Sequence, residues 1–236
     1  VTGESKTPGL AARGFSFDLA MNDGALELRA RHHPEYGAIK ADWCGPELKR
    51  RISGGRKQLL ARAVGLARKP GLSVLDATGG LGRDAYTLAS LGAHVTLCER
   101  QPLVAALLKD AHRRATELSE HGAAAGRLEL IDGDARDILH SGRCWDSVYL
   151  DPMYPEDGKT ALPSKEMQFL RELTGGDWDT EALLTAALAA APRVAVKRPT
   201  KAPWLTNRKP AMSLSSAQVR FDLYLSTTHI DRPASD

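Results

Sequence analysis

In a chain of 236 residues, Asp151-Pro152-Met153-Tyr154 directly follows the apolar run Ser147-Val148-Tyr149-Leu150. A carboxylate, a proline carbonyl and an aromatic ring in that order suit one kind of chemistry. The exocyclic amine of guanine or adenine is a poor nucleophile because its lone pair is delocalised into the ring. Hydrogen bonds from its N–H groups to the Asp151 carboxylate and the Pro152 carbonyl favour a pyramidal nitrogen whose lone pair points at an electrophile. Proline fixes φ and contributes only an acceptor. Beyond Met153, Tyr154 can stack on the face of an extruded base. The plainer alternative is an Asp-Pro turn that closes a strand.

A second set of residues suits a nucleotide-like cofactor. Asp76 ends the apolar run that starts at Leu72, and glycines follow at 79, 80 and 82. So tight a turn needs positive φ, and the missing side chains let a ligand approach backbone N–H groups at a helix start. Gly80-x-Gly82-x-x-Ala85 also fits the dinucleotide fingerprint. Glu99 lies 17 residues past Gly82 and can accept from the two hydroxyls of a ribose. NAD and S-adenosylmethionine both carry an adenosine, so neither residue separates them. Asp134 can accept from an adenine amino group or simply cap a helix. A dehydrogenase leaves Asp151 to Tyr154 without a task, whereas methyl transfer from S-adenosylmethionine to an amine uses every group.

These residues need elements to hold them. Strands are expected at Leu72–Asp76, Ala93–Glu99, the Arg-Leu-Glu-Leu-Ile-Asp run, Trp145–Asp151 and Arg193–Lys197, with Val219–Ser226 near a sheet edge. Helices are expected from Ala85 to Leu91, from Pro102 to about Leu118, over Ser164–Leu173 and over Asp177–Ala191. This alternation implies an α/β fold, a mainly parallel sheet with helices on both faces. Ligands then sit beyond the carboxyl ends of the strands, where the candidate residues fall. Residues 1–53 read as a small N-terminal α+β extension with a hairpin around Asn22-Asp23-Gly24, and residues 54–236 as the main domain. A helix over Gly54–Ala67 leads into the first core strand.

A hydrophobic content of 42% supports a packed core. Apolar runs stay well short of the roughly 18 residues a membrane span needs, and the first residues carry no secretory-signal pattern, so a cytoplasmic protein is expected. Cys44, Cys98 and Cys144 are too scattered for a zinc site and are read as reduced thiols, with Cys98 in the core. No metal is expected. The formal charge of +3 says little about partners, but local basic runs say more. Lys49-Arg50-Arg51 with Arg56-Lys57 is one, and Lys197-Arg198 through Lys201 and Trp204 to Arg208-Lys209 is another. The second mixes cations with an aromatic ring, as an RNA-gripping loop does. Lys159 and Lys165 are further candidates, and solvated faces are the alternative for all of them.

With these residues in place, the chain resembles the RsmJ family of bacterial small-subunit ribosomal RNA guanine-N2 methyltransferases. The resemblance runs through Ser53-Gly54-Gly55-Arg56, the segment Leu75–Ala85, Cys98–Leu108, Tyr149–Pro155, Ser164–Met167, Val196–Pro199 and Arg220–Tyr224. It implies a class I, Rossmann-like methyltransferase fold, S-adenosylmethionine as donor and a guanine near the 3′ end of 16S ribosomal RNA as acceptor. It also implies cofactor contacts at Arg83, Asp84, Glu99, Arg100, Asp134, Ala135 and Asp151. Asp134-Ala135 departs from the family pattern, which has two serines there. No obligate protein partner is evident from the sequence. Methylation of adenine N6 or cytosine N4, an NAD-dependent oxidoreductase and a catalytically silent RNA-binding module are the competing readings.

Overall fold

The computed structural model describes residues 16–31, 33–152, 168–170, 173 and 180–226. A seven-stranded sheet forms its centre, built from β4 (Ser73–Asp76), β5 (His94–Glu99), β6 (Leu128–Asp132), β7 (Ser147–Leu150), β8 (Arg193–Pro199), β9 (Met212–Ser215) and β10 (Val219–Leu225). Their spatial order is β6-β5-β4-β7-β8-β10-β9. The first five pair in parallel, and β10 runs antiparallel to both β8 and β9. The chain builds outward from β4 through β5 to β6, then returns to lay β7 on the other side of β4. The topological switch point therefore lies between β4 and β7, where such sheets bind ligands.

The sheet is buried on both faces, as parallel strands require. Val74, Leu75, Leu97, Val148, Leu150, Val194 and Val196 are all fully buried. The helices that cover it are α1 (Pro46–Ile52), α2 (Leu59–Val64), α3 (Arg83–Ser90), α4 (Pro102–Glu117), α5 (Ser119–Ala125), α6 (Ala135–Leu139) and α7 (Thr180–Ala190). Local chemistry fixes their starts. Pro102 occupies the first turn of α4 while the Gln101 side chain accepts from Leu103 N at 2.8 Å. Asp134 caps α6 by accepting from Arg136 N at 2.9 Å.

Three shorter strands, β1 (Phe17–Asn22), β2 (Ala25–Ala30) and β3 (Ala38–Ile39), form a separate antiparallel sheet. β1 and β2 close over Asp23 and Gly24, both at positive φ, the two-residue turn a right-twisted hairpin prefers. Leu28, Ile39 and Trp43 bury into the same core as α3 and α4. Leu26 N donates to Asp110 of α4 at 3.0 Å, and Arg113 and Arg114 hold that carboxylate in place.

The expected strands and helices are present within a few residues, apart from the helix over 164–173, most of which lies outside the described residues. Val219–Ser226 lies near the sheet edge as expected, one strand in, and β9, which was not foreseen, forms the edge itself. The helix expected over 54–67 is a short 3-10 turn at Gly55–Lys57 followed by α2, which Gly65 ends at φ 95°. Among the described residues, no helix is long and apolar enough to cross a membrane.

Candidate active site at the switch point

A cavity of about 260 Å³ opens at the carboxyl ends of β4, β5 and β7. Its floor is the glycine turn. Gly80 and Gly82 take φ of 52° and 71°, conformations that cost an L-residue about 1–2 kcal/mol. Gly79 serves a different need: its N–H donates to the Cys98 carbonyl at 2.9 Å, and an added Cβ would lie 2.8 Å from that oxygen. At Gly82 a Cβ would press on Trp43 Cζ2 at 2.7 Å. At Gly80 it would meet only the Thr78 carbonyl at 3.9 Å, so this stretch of backbone is bare toward the cavity.

Carboxylates ring the turn. Glu99 is buried at the end of β5 and accepts from Gly80 N and Gln101 N, each at 2.8 Å. Asp76 is buried at the end of β4, where desolvation raises its pKa to about 7 against the N–H of Thr78, which stabilises the charge. Asp134 lines the cavity as the cap of α6, and its hydrogen bonds from Arg136 lower its pKa. Asp151 follows β7, and its N–H donates to Thr78 Oγ1 at 2.6 Å, tying the Asp-Pro turn to the glycine turn. Pro152 is buried beside it. The structure thus brings Asp76, Gly79, Gly80, Gly82, Arg83, Asp84, Glu99, Arg100, Asp134, Ala135 and Asp151 around one cavity.

Met153, Tyr154, Lys159 and Lys165 lie outside the described residues. Lys57, Lys201 and Trp204 are exposed, and so is Arg56, whose Nε donates to the Leu91 carbonyl at 3.0 Å. Two members of the expected basic loop are placed elsewhere. Arg198 is buried, with Nε donating to the Pro203 carbonyl at 3.3 Å. Lys197 turns into the cavity, with Nζ 2.6 Å from Asp151 Oδ2 and 3.0 Å from Asp84 Oδ2. Arg198 leaves the solvent and Lys197 is largely withdrawn from it, because both sit inside β8, where alternate residues face packed layers.

Sequence reasoning passed over several participants. Tyr149, fully buried on β7, donates its hydroxyl to Asp84 Oδ2 at 2.7 Å; burial pushes its pKa well above the usual range, so it remains a donor. Arg51 of α1 pairs with Asp84 and lines the cavity. Trp43 donates Nε1 to the Leu81 carbonyl at 2.9 Å and stacks on Tyr86. In the sequence Arg51 reads only as part of a basic run and Tyr149 only as part of the segment before Asp151, and neither reading points to Asp84. The signal available for Thr78 was its position inside the turn. The cysteines are free thiols; Cys98 is buried and donates to the Gly133 carbonyl, and burial pushes its pKa up to about 12.

The lining suits an adenosine that carries a cation. Carboxylates surround the cavity, bare backbone faces it at Gly80, and Val104, Ala135, Leu170 and Leu183 supply apolar surface. Comparison with known proteins agrees. The family model described as "Putative SAM-dependent methyltransferase" matches residues 10–226. Ribosomal RNA small subunit methyltransferase J of Colwellia psychrerythraea is 46% identical, over 95% of this chain and 82% of its own. The protein of the same name from Pseudomonas paraeruginosa is 49% identical, over 88% and 82%. The solved structure of the SAM-dependent methyltransferase NGO1261 from Neisseria gonorrhoeae superposes with a TM-score of 0.71 and 30% identity, covering 99% of this chain and 96% of that one. The shared sheet is that of a class I methyltransferase, and a dinucleotide-binding oxidoreductase no longer fits. The cofactor is S-adenosylmethionine, and the chain belongs to the ribosomal RNA small subunit methyltransferase J family of methyltransferases.

Proposed function

We propose that this enzyme methylates the exocyclic N2 amine of a guanine near the 3′ end of 16S ribosomal RNA, acting in the cytoplasm. The observation that carries the reading is the Asp151-Pro152 turn at the switch point, bonded to the glycine turn through Thr78. When bound, S-adenosylmethionine supplies an electrophilic methyl carbon on a sulfonium. The turn from Gly79 to Gly82 with Arg83 and Asp84 would hold its amino-acid end, and Glu99 with Arg100 its ribose. Asp134 and the backbone of Ala135 would meet the adenine.

Asp151 and the Pro152 carbonyl then accept the two N–H groups of the substrate amine. Both acceptors on one side leave the nitrogen lone pair facing the opposite side, which is alignment rather than covalent catalysis. Tyr154 would stack on the base, and Met153 belongs to the same turn. Exposed Lys57, Lys201 and Trp204, with Arg56, Lys159 and Lys165, would contact RNA phosphates or bases. The names of the relatives support small-subunit ribosomal RNA as substrate.

The test is transfer of radiolabelled methyl groups to small subunits lacking the modification, followed by nucleoside analysis. Label in N2-methylguanosine is expected, and the Asp151→Ala variant should lose about 100-fold or more in kcat while keeping RNA affinity. Label in N6-methyladenosine or N4-methylcytidine would replace the target base. RNA binding without any transfer would replace the enzyme reading with a silent binding module.

A further inference from the structure

Lys197 belongs to a basic stretch, yet the sheet register carries it into the site. β7 and β8 run parallel with Leu150 opposite Val196, so the next residues, Asp151 and Lys197, emerge side by side. Strand alternation puts Lys197 on the face of Ala195, beside Tyr149 and Asp151. Its ammonium lies between Asp151 Oδ2 and Asp84 Oδ2, at 2.6 and 3.0 Å. Asp84 is itself fixed, by the Tyr149 hydroxyl at 2.7 Å and by Arg51. A chain of alternating charge therefore runs from Arg51 through Asp84 and Lys197 to Asp151.

We propose that Lys197 is a positioning residue for Asp151: its ammonium, anchored on Asp84, holds one carboxylate oxygen and aims the other at the substrate amine. The inference rests on Asp151 being the amine acceptor. Asp151 is otherwise held only at its backbone, where Thr78 accepts its N–H, so nothing else described fixes the side-chain torsion. Its carboxylate is partly exposed, and a carboxylate at a strand end with one backbone tether samples several rotamers. The carboxylates of Asp76 and Glu99 also line the cavity, and an ammonium between Asp84 and Asp151 offsets their mutual repulsion. Two of the three ammonium donors are spent on these carboxylates, which is the wrong arrangement for gripping a phosphate.

The test compares Lys197→Met and Lys197→Arg in the wild-type and Asp151→Ala backgrounds. Lys197→Met should lower kcat about 10- to 100-fold, the size of effect that slight misplacement produces. RNA and cofactor affinities should stay within about threefold, and Lys197→Arg should recover much of the loss because it keeps the cation. In the Asp151→Ala background Lys197→Met should cost nothing further, since a residue acting through Asp151 has no effect without it. NMR couplings of the Asp151 side chain supply a readout that needs no substrate: one rotamer is expected in wild type and Lys197→Arg, and averaging in Lys197→Met. Should the Met variant not fold, Lys197→Gln takes its place. An unaveraged Asp151 in Lys197→Met, additive kcat losses, or reduced RNA affinity with intact kcat would each overturn the proposal. A wild type that labels another base, or none, bears on the target instead and leaves the rotamer measurement standing.

Discussion

Asp76 sits at the end of β4 with about 1% of its surface exposed, and its burial sets up a stability measurement. Desolvation raises its pKa from 3.8 to about 7, with Asp151 and Glu99 adding to the shift and Lys197 opposing it. The folded chain therefore keeps a proton that the unfolded chain releases. The stabilising contribution of this group is full below pH 3.8 and is lost as pH rises through about 7. At about 1.4 kcal/mol per pH unit, the gap sets a ceiling of about 4 kcal/mol, of which about 2–3 kcal/mol falls between pH 5 and 8. Asp76→Asn removes the titration and keeps an amide oxygen where Thr78 N now donates to Oδ1 at 3.1 Å. Urea unfolding of both proteins at pH 5 and pH 8 isolates the effect. Wild type should lose about 2–3 kcal/mol more than the variant between the two. Parallel losses, agreeing within about 0.5 kcal/mol, would refute the reasoning and mean that Asp76 stays charged throughout.

The glycine turn and its carboxylate give two more expectations. Gly82→Ala places a Cβ 2.7 Å from Trp43 and 2.9 Å from the Leu108 side chain at positive φ. It should destabilise the fold by about 2–5 kcal/mol, combining the left-handed penalty with overpacking. Gly80→Ala, whose Cβ meets only the Thr78 carbonyl at 3.9 Å, should cost only about 1–2 kcal/mol. Equal melting temperatures for the two variants would contradict the packing argument. Glu99→Gln puts an amide NH₂ against one of the two backbone donors at Gly80 and Gln101, a mismatch of about 1–3 kcal/mol. Calorimetry should show S-adenosylmethionine affinity falling about tenfold or more, and unchanged affinity would remove Glu99 from the site.

The parts of the site that the sequence disclosed are those written in consecutive residues. Asp76 with its glycines, Glu99 and Asp151 each end an apolar run, and strand ends gather at one edge of a parallel sheet. The turn residues were legible because positive φ restricts the choice of side chain. Lys197 was not, because a lysine among Arg198, Lys201 and Lys209 reads as part of an RNA-gripping loop until the pairing of Leu150 with Val196 is known. Trp43 escaped, and Arg51 reads only as a surface cation, for the same reason: their partners are 38 and 33 residues away, and no periodicity carries such pairings. β9 escaped because Met-Ser-Leu-Ser, although it alternates apolar and polar, is only four residues long and mostly exposed, too short a run to stand out.

The contact of Trp43 with the glycine turn bears on how the enzyme assembles. The indole is fully buried, packs on Gly82 and bonds to Leu81, so the turn reaches its final shape only once this ring has docked. Closing that loop costs chain entropy before its contacts return anything. The floor of the cavity is therefore expected to form late, after β4 and α3 have met, and to open early when the segment around Trp43 detaches. In hydrogen exchange, the amides of Leu81 and Gly82 should share the opening free energy of residues near Trp43 rather than that of the central strands. That result would make the lifetime of the site depend on a segment that precedes the catalytic sheet in the chain.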